Sequence, residues 1–292
     1  MSAVPDQPQA TPAVTRGHSI GALLIDAGRL SAENAEKILR LQKERDLRFG
    51  DAALQLKLLT EDDIRFALAR QFDYPYLSAG DSSLSQELVA AYRPFGETVE
   101  QLRALRSQLM LRWFDGESER KALAVMSPGH RDGRSFVAAN LAIVFSQLGE
   151  RTVLVDADLR TPRQHKLFHL ANQGGLSDVL VGRAGPEAVV RIPNLVGLSV
   201  LPAGAVPPNP QELLGRPAFV ELLQGLAKNF DTIIMDTPAT ATYADGQTVA
   251  ARAGAALLVA RKNLTLAGDL SKLARSLQQS GVELVGSALN DV

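Results

Sequence analysis

Cysteine is absent from the 292 residues of this sequence, which excludes disulfide bonds and thiol chemistry and suits a protein of the cytoplasm. Long apolar runs are also missing: residues 255–260 form one of the longest, whereas about 20 residues are needed to span a bilayer. The N-terminus lacks a basic start and an apolar segment, so we expect no signal peptide. A formal net charge of −1 excludes a general attraction to nucleic acid or anionic membrane. Any link to a membrane is therefore expected to come through a partner protein.

The composition nevertheless allows a large core. Apolar residues make up 46% of the sequence, and its length suits one large or two modest domains. Residues 1–17, with several prolines, predict a flexible tail, and residues 19–77 predict a small helical domain. Residues 78–98, rich in serine and glycine, predict a linker that leads to one larger domain at 99–292.

The small helical domain contains an internal repeat. The segment that begins at Ile20 aligns with the one that begins at Phe49, and Ser31 aligns with Thr60. Ser31 and Thr60 stand where a helix N-cap is expected. Each copy therefore predicts a first helix led by a glycine, a turn, and a second helix capped by a hydroxyl.

The centre of the chain has the order strand, loop, helix, strand. Residues 122–126 and 152–155 are short apolar runs typical of buried parallel strands. Between them, Gly129 and Gly133 allow sharp turns before a segment with apolar residues at helical spacing. The backbone N–H groups of such a loop and the N-terminus of its helix together form a cradle for anions such as phosphate.

The loop matches part of the P-loop pattern, which is Gly, four residues, then Gly-Lys-Ser/Thr. Gly133 and Ser135 stand at their expected positions, whereas Pro128 replaces the first glycine and Arg134 replaces the lysine. The Ser135 hydroxyl is a predicted Mg²⁺ ligand. Taken alone, the loop suits an ordinary strand-to-helix turn that binds no nucleotide equally well.

Acidic residues follow two predicted strands. Asp156 and Asp158 come after the strand at 152–155, and Asp236 ends another buried strand at 230–235, as the acid of a Walker B element does. The carboxyl ends of parallel strands meet at the ligand crevice of an open α/β sheet. These acids can serve a metal ion and an attacking hydroxyl there, so the sequence predicts a nucleotide site.

Later segments continue the alternation of strands and helices. Strands are predicted at 195–201, 255–260 and 284–289, and helices at 176–180, 219–226 and 266–277. The pattern predicts an α/β fold with a doubly wound, mostly parallel sheet.

Residues 95–292 resemble the cytoplasmic kinase domain of the bacterial tyrosine kinases of exopolysaccharide and capsule assembly, a family that shares the P-loop NTPase sheet of the ParA/MinD ATPases. The resemblance rests on residues 155–162, on residues 201–214 with their Pro-Pro-Asn-Pro, on residues 235–238 with Asp245, and on a Glu-x-x-Arg-x-x-Arg helix formed by Glu100, Arg103 and Arg106. ParA/MinD proteins are not expected to carry that helix or Pro-Pro-Asn-Pro. We therefore rank a ParA/MinD-like positioning ATPase third, behind a kinase and a nucleotide-binding scaffold.

The resemblance implies an ATP- and Mg²⁺-dependent protein-tyrosine kinase that acts in exopolysaccharide chain-length control and export. It implies nucleotide binding by Gly129, His130, Arg131, Asp132, Gly133, Arg134, Ser135 and Phe136, Mg²⁺ binding by Ser135, Asp156, Asp158 and Asp236, and catalysis by Asp156, Asp158 and Arg134. The implied partner is a transmembrane chain-length determinant protein, which would hold the kinase at the cytoplasmic side of the inner membrane. The helix with Glu100, Arg103 and Arg106 is expected to join subunits of a homo-oligomer, and no nucleic-acid partner is expected.

Two features depart from the family. Arg134 stands where the family has lysine, and its wider planar fork is expected to disturb phosphoryl transfer more than phosphate binding. The sequence has four tyrosines and no cluster of them at its C-terminus, so we expect no autophosphorylated tail. Both features favour the second hypothesis, a nucleotide-binding scaffold of the polysaccharide machine with weak or no catalysis, whereas the intact acids favour the enzyme.

The repeat at 19–77 resembles the N-terminal domain of type II secretion and pilus-extension ATPases. Some members of that family bind cyclic di-GMP through a doubled Arg-Leu-Gly pattern. Arg48 keeps the arginine in the second copy, but Ser19 replaces it in the first and cannot make a bidentate phosphate contact. A protein-docking role is therefore favoured over cyclic di-GMP binding.

Overall fold

The computed structural model of the chain describes residues 19–71, 77, 81–114 and 120–291. The chain divides into two compact units, Met1–Tyr74 and Pro75–Val292. The predicted tail at 1–17 lies outside the described residues. Within the ranges that are described, no helix has the length and apolar character needed to cross a bilayer.

The smaller unit is built from two similar helix pairs. They are α1 (Ile20–Asp26) with α2 (Ala32–Arg45), and α3 (Phe49–Gln55) with α4 (Glu61–Gln71). The Ser31 hydroxyl accepts a hydrogen bond from the N–H of Asn34 at 3.2 Å, and Thr60 and Asp63 form a reciprocal capping box at the start of α4. The helix pairs thus begin at the positions that the sequence repeat predicts.

The larger unit contains a seven-stranded sheet. Its strands are β1 (Ala122–Met126), β2 (Thr152–Asp156), β3 (Val190–Arg191), β4 (Leu198–Leu201), β5 (Thr232–Asp236), β6 (Ala255–Arg261) and β7 (Glu283–Asn290). Their order is β3-β4-β2-β5-β1-β6-β7, and every pair is parallel except β3 with β4. The predicted fold class, a mostly parallel α/β sheet, is confirmed.

Helices cover both faces of this sheet. In chain order they are α5 (Val89–Tyr92), α6 (Glu97–Arg112), α7 (Arg134–Ser146), α8 (Gln164–Leu167), α9 (Leu176–Leu180), α10 (Pro210–Leu214), α11 (Pro217–Asn229), α12 (Asp245–Ala253) and α13 (Ala267–Gln279), with a short 3₁₀ helix at Pro186–Ala188. Helices α5 to α7 contribute to one apolar core and α9 to α13 to the other. The sheet is therefore doubly wound.

Two segments differ from their predicted form. The described part of the segment predicted as a linker carries α5, and its Leu84, Leu88 and Tyr92 are buried in the core beside α7. The strand predicted at 195–201 begins only at Leu198, because Gly197 turns the chain with a φ of 88°. The apolar residues at 84, 88, 89 and 92 are the signal of this buried segment, and the serines between them at 82, 83 and 85 conceal it in the composition.

Candidate phosphoryl-transfer site

The three predicted acids lie at neighbouring strand ends. Asp156 ends β2, Asp236 ends β5, and the two are paired in register across the sheet. Strand β1, on the other side of β5, leads directly into the glycine loop and α7. The topology therefore brings the acids and the loop to one edge of the sheet, as the sequence predicted.

The glycine loop is shaped by a close approach at Gly133. This residue has a φ of 99°, and a Cβ added to it would lie 2.0 Å from Nδ2 of Asn290. That amide group donates to the backbone carbonyl of Asp132 at 3.1 Å. Only glycine fits both the backbone conformation and the space at position 133. The end of β7 thus packs closely against the loop and supports it through Asn290.

The Asp132 side chain braces the loop from inside. It is 1% exposed, and its carboxylate accepts from the N–H of Gly129 at 2.8 Å and from the hydroxyl of Thr265 at 2.9 Å. Both carboxylate oxygens of Asp132 are thus engaged in hydrogen bonds within the protein. His130 and Arg131, in contrast, are exposed at the tip of the loop.

The guanidinium group of Arg134 points into the protein and donates hydrogen bonds to three other residues. Its Nε donates to the carbonyl of Thr237 at 2.9 Å, and its Nη1 donates to the carbonyl of Gly129 at 2.5 Å and to the hydroxyl of Ser127. The residue is only 7% exposed. Arg134 therefore ties the start of the loop to the chain that leaves β5, a role that the sequence did not suggest.

Asp158 organises the turn that follows β2. Its Oδ1 accepts from the N–H of Arg160 at 3.1 Å and of Thr161 at 2.8 Å, and its Oδ2 accepts from the Thr161 hydroxyl at 2.8 Å. Asp156 in turn accepts from two backbone N–H groups, those of Arg163 at 3.0 Å and Gln164 at 2.9 Å. Burial, with repulsion from Asp236, raises the pKa of Asp156 well above its ordinary value.

Asp236 keeps one oxygen without a partner. Its Oδ2 accepts from Nε2 of Gln164 at 2.8 Å, whereas its Oδ1 is buried and makes no hydrogen bond of normal geometry with the described residues, although the Ser135 hydroxyl lies near enough to the carboxylate to lower its pKa. Burial raises the pKa of Asp236 to about 6, against the lowering effects of Ser135 and Gln164. An orphaned carboxylate oxygen in a buried position is the arrangement that a cation relieves.

The donor set suits Mg²⁺ that arrives with a nucleotide. Ser135 lies in the first turn of α7 beside Asp236, and hydroxyl and carboxylate oxygens are hard ligands of the kind that Mg²⁺ prefers. Among the described residues, no group of three or more His, Asp or Glu side chains is placed to hold a metal ion by itself. Mg²⁺ commonly takes one or two protein ligands together with phosphate oxygens and water, so a site of this kind does not need such a group.

Arg160, Tyr243 and Asp245 form a cluster beside the acids. The Arg160 guanidinium pairs with the buried carboxylate of Asp245, with an Nη2 to Oδ1 distance of 3.2 Å, and lies 3.7 Å from the centre of the Tyr243 ring. Sequence motifs included Arg160 and Asp245 but gave no reason to pair them. Gln164 is the other residue that sequence reasoning missed, since a lone glutamine in a polar segment carries no signal.

The remaining predicted residues have other surroundings. Phe136 is partly buried, and its side chain packs against the apolar core. On α6, Arg103 pairs with Glu100 and donates to the carbonyl of Pro94 at 2.5 Å. Arg106 donates to the carbonyl of Val144 at 2.6 Å. The two arginines therefore make contacts within the chain, which the prediction of a subunit-joining helix did not include.

Sequence comparison identifies the family. CapB of Staphylococcus aureus, named as a putative tyrosine-protein kinase, is 31% identical over 198 residues, which cover 68% of this chain and 86% of CapB. This protein belongs to the bacterial tyrosine-protein kinase family. The family that the motifs predicted is thus confirmed. No family model matches the sequence.

The chain also matches longer relatives. Tyrosine-protein kinase etk of Escherichia coli K12 is 35% identical over 204 residues, which cover 70% of this chain but only 28% of etk. The chain thus corresponds to less than a third of that relative. The solved kinase domain of Escherichia coli ETK is 34% identical, with a TM-score of 0.67, over 70% of this chain and 80% of that one.

The relation of the fold to MinD is confirmed as well. The septum site-determining protein MinD of Pyrococcus horikoshii, solved with Mg-ADP, shares the fold at a TM-score of 0.51 and 24% identity. The likeness covers 58% of this chain and 69% of MinD. It supports the P-loop NTPase fold alone.

Proposed function

We propose that this protein transfers the γ-phosphoryl group of ATP to tyrosine side chains of proteins in exopolysaccharide or capsule assembly. The observation that carries the proposal is the meeting of a phosphate-loop backbone with three carboxylates, one of which keeps a buried oxygen without a partner. Relatives named tyrosine-protein kinase support the reaction class.

We assign the nucleotide phosphates to residues 129–136. The backbone N–H groups at the start of α7 supply the anion cradle, and His130 and Arg131 are exposed donors at its rim. Asp132 contributes through its backbone, because its carboxylate braces the loop. Ser135, Asp236, Asp156 and Asp158 are the residues we assign to Mg²⁺. When bound, the ion compensates the negative charge on the phosphate oxygens.

In the proposed transfer, the tyrosyl oxygen bonds to the γ-phosphorus while the bond from that phosphorus to the β–γ bridging oxygen breaks. The hydroxyl proton passes to Asp156 or Asp158, and ADP leaves. Asp156 is the better proton acceptor, because its Oδ1 has only a long 3.3 Å contact with the N–H of Asp158. Both oxygens of Asp158 already accept hydrogen bonds at 2.8 Å.

Calorimetry tests the nucleotide part of this function. We expect ADP with Mg²⁺ to bind in the micromolar range, at about −8 kcal/mol. Asp236→Ala should weaken the dependence of this affinity on Mg²⁺, because it removes the orphaned carboxylate oxygen. Absence of heat with both ADP and ATP would contradict nucleotide binding altogether.

We further propose a transmembrane chain-length determinant protein as partner, with the kinase held peripherally at the cytoplasmic face of the inner membrane. Glu100, Arg103 and Arg106 on α6 are the proposed contacts of a homo-oligomer. Arginine suits such contacts because its planar fork pairs with carboxylates across an interface.

A second candidate function is a nucleotide-binding scaffold without efficient transfer. The contacts of Arg134 favour it, since donors expected to face phosphate are engaged by Ser127, Gly129 and Thr237. The acids at the strand ends favour the kinase, because a scaffold has no need of a buried carboxylate that costs stability. Comparison of wild type with Arg134→Lys separates the two.

For the smaller unit we propose a protein-docking role rather than binding of cyclic di-GMP. The Ser19 hydroxyl accepts from the N–H of Ala22 at 3.3 Å and so serves as the N-cap of α1. Arg48 occupies the same position before α3 but makes no side-chain cap. One exposed arginine is a weak basis for binding a dinucleotide with two phosphates.

A further inference from the structure

Gln164 lies at the meeting point of the three elements that carry the site. It is the first residue of α8 and is fully buried. Its side-chain Nε2 donates to Oδ2 of Asp236 at 2.8 Å and to the carbonyl of Ser135 at 3.1 Å. Its backbone N–H donates to Oδ2 of Asp156 at 2.9 Å. One residue thus contacts the ends of β2 and β5 and the first turn of α7.

The chemistry of the neighbours fixes the orientation of the amide. The two groups that its NH₂ meets, the Asp236 carboxylate and the Ser135 carbonyl, are both acceptors. The opposite orientation would place the amide carbonyl against two further acceptors and leave all of them without a donor. Both hydrogens of the NH₂ group therefore point at fixed targets, one on the metal-binding acid and one on the phosphate-loop helix.

Two acceptor oxygens remain without a partner around this amide. They are Oε1 of Gln164 and Oδ1 of Asp236, both buried and without a hydrogen-bond partner among the described residues. Buried polar atoms of a folded protein are normally paired, so an orphaned pair of acceptors indicates a missing donor or cation. A nucleotide-bound Mg²⁺ with its water ligands supplies both, since its oxygen shell is partly water.

We infer that Gln164 is a positioning residue, which orients the Asp236 carboxylate so that Oδ1 faces nucleotide-bound Mg²⁺. The inference rests on the proposed nucleotide site. The amide anchors Oδ2 of Asp236 to the start of α7, which leaves Oδ1 as the oxygen available to the metal or its water. Gln164 and Arg134 support the site at adjacent positions. Arg134 bonds to the carbonyl of Thr237, and Gln164 joins the start of α7 to Asp236, the residue before it.

Substitution can separate this side-chain role from the backbone contact. The N–H of residue 164 holds Asp156 whatever the side chain is, so replacement of Gln164 leaves that contact in place. Gln164→Leu removes both side-chain donors. Gln164→Glu keeps the size of the side chain but sets a second carboxylate against Asp236, and Gln164→Asn keeps an amide that is one methylene too short to reach both targets.

Asn140 offers a matched control. It is a buried amide on α7 whose Nδ2 donates to the carbonyls of Glu87 and Phe136, and whose Oδ1 accepts from the N–H of Ala90 at 2.9 Å. These contacts hold α5 and do not touch the acids. Asn140→Leu therefore removes a buried amide of similar structural weight without affecting Asp236.

The experiment measures ADP affinity with and without Mg²⁺ by calorimetry, together with the free energy of unfolding. We expect Gln164→Leu and Gln164→Glu to reduce the gain in affinity that Mg²⁺ gives by about tenfold, as for loss of one hydrogen bond to a charged group. Gln164→Asn should lie between them and wild type. Asn140→Leu should lose stability but keep the full Mg²⁺ gain.

Turnover separates this inference from the kinase assignment. If wild type phosphorylates a tyrosine peptide, Gln164→Glu should lower kcat about tenfold or more with little change in KM for ATP. Unchanged Mg²⁺ gain in folded Gln164→Leu and Gln164→Glu overturns the positioning role, whatever the turnover. If the Gln164 variants lose the Mg²⁺ gain and the wild type makes no phosphotyrosine, the positioning role is kept and the kinase is overturned. A wild type whose ADP affinity ignores Mg²⁺ overturns both.

Discussion

At the scale of single residues, the buried acids of the site lower the stability of the fold. Asp236 is fully buried, one of its oxygens makes no hydrogen bond of normal geometry with any residue that the structure describes, and Asp156 lies opposite it on the neighbouring strand. Burial raises the pKa of Asp236 from 3.8 to about 6. A carboxylate held in this way is destabilising when charged, and the free energy is recovered when a cation binds.

This predicts that Asp236→Asn stabilises the protein without nucleotide. Between the unfolded pKa of 3.8 and the folded pKa of about 6, the folded state binds more protons, so stability falls as pH rises through this window and stays low above it. Replacement by a neutral amide should raise the free energy of unfolding at pH 7 by up to about 3 kcal/mol, the equivalent of two pKa units. Urea unfolding between pH 4 and pH 7 measures it.

Asp231, just before β5, provides a control in which the pKa shift and its effect on stability have the opposite sign. The Arg151 guanidinium beside it holds its pKa below the ordinary value, so its contribution is stabilising above that value and is lost as pH falls. Asp231→Asn should therefore lower stability at pH 7. Equal stability of wild type and Asp236→Asn at pH 7 would show that the buried carboxylate carries no penalty.

Arg134 gives a second prediction at this scale. Lysine has one compact ammonium group, which cannot hold Ser127, Gly129 and Thr237 together as the fork of arginine does. We expect Arg134→Lys to leave turnover little changed or reduced, because the loop is adapted to the clasp. Phosphotyrosine formation on a peptide added in trans measures it. Activity that appears only in the lysine variant would show a decayed site and would favour the scaffold.

At the scale of elements, the phosphate loop is held from behind by the last strand. Asn290 at the end of β7 donates to the carbonyl of Asp132, and Arg261 at the end of β6 donates to the carbonyl of Arg131 at 3.3 Å. The loop thus depends on two strands that are distant from it in sequence. The close approach of Asn290 also explains why position 133 is glycine.

Gly133→Ala tests this support. The new Cβ would meet Asn290 at 2.0 Å and force it off the Asp132 carbonyl, at a φ that alanine already disfavours. Strain of this kind costs about 1–3 kcal/mol, and ADP binding should be lost with it. Gly149→Ala is the matched control, since its φ is 101° but its Cβ would meet nothing within 4 Å. Asn290→Ala added to Gly133→Ala should restore part of the stability; if it restores none, the clash with Asn290 is not the cause.

Elements with a strong local signal were predictable from the sequence, and long-range ones were not. The buried strands β1, β2 and β5, and the acids at the ends of β2 and β5, follow from short apolar runs and from the rule that parallel strands end at one edge. Strand β3 has two residues and exists only because β4 lies beside it. The contacts of Arg134 and Gln164 join segments that are far apart in sequence, so no local pattern announces them.

At the scale of the whole molecule, α6 belongs to the fold and is also the proposed subunit contact. Arg103 and Arg106 make contacts within the chain, with Pro94 and Val144, so an interface would have to use these arginines in addition to their present contacts. Glu100 is the more exposed member of the motif. The helix is therefore part of the fold as well as the proposed subunit contact.

Replacement of Arg103 and Arg106 by alanine should shift an oligomer toward monomer in light scattering. Because Arg106 also bonds to Val144, we expect a loss of stability of about 1 kcal/mol or more alongside it. Arg112→Ala, an exposed arginine on the same helix, is the control and should leave assembly unchanged. A wild type that is monomeric with nucleotide and partner present would contradict the oligomer.

The function proposed for these acids and this loop is the transfer of phosphate to tyrosine. The most direct measurement is phosphotyrosine formation, followed by mass spectrometry, on a tyrosine-rich peptide with Mg-ATP and the cytoplasmic end of the membrane partner. Wild type should phosphorylate the peptide, and Asp156→Asn should lose about 10²-fold or more in rate with its fold intact, because a general base contributes that much. Nucleotide binding without phosphotyrosine in the wild type would contradict the account and leave the scaffold.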